Sequence, residues 1–213
     1  MSRKTGKPVS QPAADRRVLS IVGVIAVAVA LGVGAGLLVA SPGSSEPPAV
    51  AALRAEEAKR DVTQITELTK MTRNTKAVLQ PVLTGLSSGT TATADQVTAW
   101  KAVMAQETQR YAVTVSGMTG TNVARGAFRN AVEMLSSAVD TYALALSAPA
   151  GTQQQAALEL AARQRKLAVS TWSVAATQLD QLNNDAGNGH QHVYLTDSAE
   201  GGAMTPDGTP EGK

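Results

Sequence analysis

The chain has 213 residues, of which 43% are hydrophobic but only 3% aromatic, and it contains no cysteine. The missing cysteine excludes disulfides, thiol nucleophiles, cysteine-type zinc sites and a lipidated N-terminal cysteine. The formal charge of +2 hides an asymmetry: Arg3, Lys4, Lys7, Arg16 and Arg17 stand against Asp15 in the first 17 residues, whereas residues 41–213 carry 14 basic and 16 acidic groups. The basic excess is confined to the N-terminal tip, and the main domain has no electrostatic footprint for nucleic acid.

After the basic segment 1–17 comes Val18–Ala40, 23 residues with no charge and one serine. At about 1.5 Å of rise per residue such a helix crosses a hydrocarbon layer of roughly 30 Å. Lipid offers no partner to backbone amides, so the run is expected to be a transmembrane helix. Five basic residues precede it and only Arg54 follows closely, which places the N-terminus in the cytoplasm and the rest of the chain outside. A cleaved signal peptide is the competing reading, although its apolar stretch is usually about 7–15 residues. Arg16–Arg17 also faintly suggests a twin-arginine export signal. Gly32 and Gly36 match the small-residue spacing of packed membrane helices, or simply belong to an Ala/Gly-rich span.

A linker at 41–49, rich in Pro, Gly and Ser, leads into residues 50–183. Their apolar spacing predicts four helices. Val62, Ile65, Leu68, Leu79, Val82 and Leu86 mark one face of the first, with Thr72 and Thr75 interrupting it and Pro81 expected to kink or end it. Thr93 and Gln96 form a capping pattern before a second helix carrying Val97, Trp100, Met104, Tyr111, Val115 and Met118, which Gly117 and Gly120 end. Thr121 is placed to cap a third helix with Phe128, Ala131, Leu135, Ala138, Tyr142 and Leu146. Thr152 and Gln155 repeat the capping pattern before the fourth. There Leu160, Leu167 and Val174 recur at seven-residue intervals beside Ala161, Ala168, Ala175 and Leu182, two adjacent rows suited to a helix–helix seam. No sustained alternation of period two occurs. The expected fold is all-α: an anchor, then an extracytoplasmic antiparallel four-helix bundle, with a coiled-coil dimer of long hairpins as the architectural rival.

Residues 184–213 are rich in Gly, Asp, Glu, Thr and Pro and are expected to form a disordered acidic tail. Val193-Tyr194-Leu195 is its apolar cluster, able to dock on the bundle or on a partner, or to remain solvated. His190 and His192 form a His-x-His pair that Asp185 or Asp197 could join around a metal. A flexible tail does not hold three or four ligands in place, so neither metal nor cofactor is expected.

Little else suggests chemistry. There is no Gly-x-Ser-x-Gly elbow, phosphate loop or dinucleotide fingerprint. Glu56, Glu57 and Asp61 lie among Arg54, Lys59 and Arg60 at ion-pair spacings of an exposed helix. Arg163, Arg165 and Lys166 can keep one face of helix four soluble or meet an anionic lipid or partner. Trp100 and Trp172 read as core anchors or as a paired aromatic pocket for a small ligand. Thr72, Thr75, Gln164, Thr171 and Gln178 fall at or beside seam positions, where buried polar groups require water, ligand or partner-helix hydrogen bonds.

The layout, though no motif, resembles the extracytoplasmic part of bacterial receptors, in which a membrane helix leads into a four-helix sensory bundle. It departs from that layout in ending on an acidic tail instead of a second membrane helix. The expected function is that of a non-catalytic, membrane-anchored accessory or scaffold subunit of a bacterial envelope complex. It would contact the lipid bilayer and a protein partner or second copy through its helices, and no nucleic acid. A small-ligand-binding or sensing module, with Trp100, Trp172 and Tyr194 as contacts, is the second reading.

Overall fold

The computed structural model describes residues 46–88 and 91–212. The basic tip, the apolar run with Gly32 and Gly36, and most of the linker lie outside the described residues. The described residues are all-helical: α1 (Pro48–Ser87), α2 (Ala94–Ala112), α3 (Thr119–Ser147) and α4 (Thr152–Asp185), followed by a 3-10 turn at Glu200–Gly202. No strand occurs among them, and none of these helices is long and apolar enough to cross a membrane. The chain divides into two units after Pro48, and the bundle belongs to the second.

Side-chain contacts show that successive helices run in opposite directions. Along α1, Asp61 meets Thr121 at the start of α3, Thr75 meets Glu107 late in α2, and Gly85 lies against the Trp100 ring early in α2. A Cβ at position 85 would overlap that ring, so glycine is what lets the indole sit flush on α1. Tyr111 packs near Phe128, and Trp100 near Tyr142, with ring centroids 6.4 and 5.8 Å apart. Helix α4 then returns along both α3 and α1. Trp172 meets Phe128 edge to face at 4.6 Å, Asn183 Nδ2 donates to Thr69 Oγ1, and Arg165 Nε donates to the Leu83 carbonyl.

Most of the apolar positions expected in the core are there. Ile65, Leu68, Leu79, Val82 and Leu86 are buried on α1, as are Phe128, Ala131, Leu135, Ala138 and Tyr142 on α3, while Val62 is exposed. The Thr93–Gln96 capping box forms with both of its reciprocal hydrogen bonds. Four local expectations are corrected. Of the two outcomes expected at Pro81, an end to the helix is overturned: α1 continues through it, because burial of Val82, Leu83 and Leu86 beyond it offsets the cost, about 3 kcal/mol, of a proline in a helix interior. Helix α2 stops at Ala112, leaving Val115 and Met118 exposed in the connection, which Gln64 fastens by donating to the Ser116 carbonyl at 2.6 Å. Thr121 does not cap α3 and Thr152 does not cap α4. Instead the Asp61 carboxylate reaches across from α1, accepting from the Met118 amide and the Thr121 hydroxyl, both at 3.0 Å. Asp61 is therefore buried, unlike Glu56 and Glu57, which pair with Lys59 and Arg60 on the exposed surface. An acidic group suits the amide-rich start of a helix even when another helix supplies it.

The expectation of a disordered tail is also overturned. From Ala186 to Gly212 the chain lies as a strap on the bundle, with Gln191, Val193, Tyr194, Leu195 and Ala203 buried. Glu200 binds Arg165 through both oxygens at 2.9 and 3.1 Å, Glu211 meets Arg73 at 3.3 Å, and the Gly212 amide donates to the His190 carbonyl at 2.7 Å. Of the acids that suggested disorder, Glu200 and Glu211 are aimed at Arg165 and Arg73 on the helices, and Asp207 at His192 within the strap.

Candidate functional site

The tryptophans do not form one pocket. Trp100 packs with Tyr142, whereas Trp172 joins Tyr111 and Phe128 in a separate buried cluster. Trp172 Nε1 donates to the Val193 carbonyl at 2.7 Å, which satisfies its one polar atom and fixes the strap over the ring. Tyr194, in the strap itself, is buried, its hydroxyl 3.0 Å from Thr177 Oγ1 on α4. A groove of about 540 Å³ opens between Leu86, Tyr142, Leu158, Arg165 and Glu200, and neither tryptophan lines it.

The polar seam is largely bonded within the protein. Thr72 Oγ1 donates to the Thr69 carbonyl, and Thr75 Oγ1 lies 3.0 Å from the Met71 carbonyl and 2.7 Å from Glu107 Oε2. Tyr111 donates to Thr75 at 3.3 Å, and burial pushes its phenol far above the ordinary range. Glu107 is only 2% exposed and pairs with Arg110, 44% exposed, at 3.1 Å. Nothing in the sequence spacing set this buried carboxylate apart from surface acids. Thr171 points at Met134 Sδ, and Gln164 Oε1 is buried without a hydrogen-bond partner among the described residues.

Two features remain on the outside. The first is on α4, where the two rows of seven-residue spacing part company. Ala161, Ala168 and Ala175 are buried, with Val169, Trp172, Ala176 and Leu179 beside them. Leu160, Leu167 and Val174, expected in the seam, are 41%, 54% and 50% exposed. The small alanines let α4 approach its neighbours closely, and that approach turns the larger row outward. Arg163 and Lys166 are exposed beside this row, and Val123, Ala127 and Met204 continue the apolar surface around Val174, with the polar Gln178 among them.

The second feature lies where the strap leaves α4. Asp180 points at the start of the strap, its Oδ2 3.0 Å from His190 Nδ1, while its Oδ1 accepts a very short hydrogen bond from the Gln191 amide. The His192 ring lies 6.0 Å from that of His190, and its Nε2 is 3.5 Å from Asp207 Oδ1. Asp207 is itself oriented by the Thr209 amide and hydroxyl, which hold its carboxyl below the usual range.

The hydrogen bond to Asp180 raises the His190 pKa above its ordinary value of 6.5. A raised folded-state value means that this contact contributes fully below the unfolded pKa and is lost as pH rises through the folded one. Amide protection at residues 190–195, corrected for intrinsic exchange, is therefore expected to fall as pH rises above the ordinary histidine value of 6.5 in chelator-treated buffer. The trend should vanish in His190→Asn; a flat profile in the unaltered protein would refute it.

No protein-family model, no curated protein and no solved structure matches this chain.

Proposed function

We propose that this protein is a non-catalytic, membrane-anchored interaction subunit, probing the space outside the cytoplasm of a bacterial cell with its helical domain. The anchor reading rests on the uncharged run Val18–Ala40 and the basic residues ahead of it. The observation that carries the interaction reading is the exposed row Leu160, Leu167 and Val174. Apolar side chains repeated every seven residues along one helix match the spacing of a second helix laid alongside, and an apolar face left in water is unfavourable until covered.

The occupant is an amphipathic helix of another polypeptide in an envelope complex. Arg163 and Lys166 beside the row favour one whose apolar stripe is flanked by acidic residues. Full-length protein extracted in mild detergent should hold one partner in fixed stoichiometry. Leu167→Glu combined with Val174→Glu should release that partner while leaving the thermal midpoint within a few degrees, because both side chains are already half in water. Undiminished retention by the double variant, or a monodisperse monomer of the unaltered chain, would exclude this face. A dimer of the chain that the same substitutions dissociate would make a second copy the occupant.

A further inference from the structure

We propose that Asp180, His190 and His192 form a zinc-class metal site that fastens the C-terminal strap to α4. One ligand atom from each residue lies within 4.8 Å of the others, a separation from which small side-chain rotations reach a common ion. Tetrahedral zinc places nitrogen and oxygen ligands at about 2.0–2.2 Å. The three residues come from two anchored elements. Asp180 sits on α4, and the strap carrying the histidines is held by Trp172 at Val193 and by Arg165 at Glu200.

The surroundings fit a cation. Side-chain exposures of 30% for His190, 13% for Asp180 and 11% for His192 leave the cluster half-enclosed yet reachable. Asp180 Oδ1 is occupied by the Gln191 amide, which orients Oδ2 toward the histidines as an outer hydrogen bond orients a metal-ligating carboxylate. His192 Nε2 is buried and makes no hydrogen bond among the described residues, so a ring nitrogen has been taken from water without a proton partner in return. Asp207 Oδ1, 3.5 Å from that nitrogen, lies at the edge of the cluster and adds negative charge there. Two imidazoles with one carboxylate, a fourth position open to water, and no thiolate in the chain suit zinc better than magnesium or calcium, which prefer all-oxygen shells. Binding would join residues 180, 190 and 192, and so fasten the His-x-His segment of the strap to α4.

The test is titration of tag-free, chelator-treated, full-length protein in detergent with Zn²⁺ and, separately, with Mg²⁺. One equivalent of zinc is expected to bind with micromolar or tighter Kd and to raise Tm by roughly 5 °C or more at a hundredfold excess over Kd. Magnesium should do neither. Affinity should fall at least tenfold in His190→Asn, His192→Gln and Asp180→Asn, each checked for retained helicity, and stay unchanged in Asp197→Asn, a strap acid outside the cluster. Substituted Co²⁺ should give the visible absorption of a tetrahedral site. No zinc binding by the folded protein, or equal binding by the His190 and His192 variants, would overturn the proposal.

Discussion

Replacing Trp172 by alanine is expected to destabilise the bundle by about 3–5 kcal/mol, the largest effect of any single side chain here. The indole is fully buried between Phe128 and Tyr111, and its removal empties the junction of α2, α3, α4 and the strap. Trp172→Phe separates the two contributions of the residue. It keeps most of the ring but strands the Val193 carbonyl, at a cost of roughly 1–3 kcal/mol for an unsatisfied buried acceptor. Urea unfolding gives the size of both effects, and hydrogen exchange at residues 191–195 gives their location. In Trp172→Phe the strap amides should lose protection before those of the α3 core. Equal loss throughout would show that the strap has no separate dependence on this hydrogen bond.

Arg110→Ala is expected to cost about 2 kcal/mol, less than the roughly 3–5 of breaking a fully buried pair, because the arginine is largely open to solvent. The loss arises on the other partner. Glu107 is nearly inaccessible and would keep only the Thr75 hydroxyl for its charge. Adding Glu107→Leu to Arg110→Ala should therefore restore most of the stability, since an apolar side chain leaves no charge to compensate and Thr75 still has the Met71 carbonyl. Thermal or urea midpoints of the two variants decide the matter: a double variant no more stable than Arg110→Ala would mean that Glu107 is not the source of the cost.

The four helices were legible because their signals are local. The Thr93–Gln96 pattern and the spacing of Phe128, Ala131, Leu135, Ala138 and Tyr142 depend only on residues within one helix. What escaped depends on partners distant in the chain. Asp61 reads as one more surface acid until the start of α3 is placed beside it. On α4, hydrophobicity alone would bury Leu160, Leu167 and Val174 in preference to neighbouring alanines, yet the bundle selects the small residues that permit close approach. The metal cluster was hidden for a related reason. His190 and His192 stood out, but a tail assumed to be flexible gave them no fixed geometry, and the acids considered were Asp185 and Asp197. Their neighbour is Asp180, one helical turn and more back along α4, facing a strap whose order rests on Trp172, Arg165 and Arg73.

The strap also imposes an order on assembly. Val193, Tyr194 and Leu195 close over Trp172 from outside the helices, so the indole seam is covered only once the strap has docked. A bundle without its strap would carry two apolar surfaces, the row on α4 and the uncovered indole seam, and only the second is closed by the chain's own later residues. Truncation between Asp185 and Val193 would leave that seam open and favour association through a surface that the finished protein conceals.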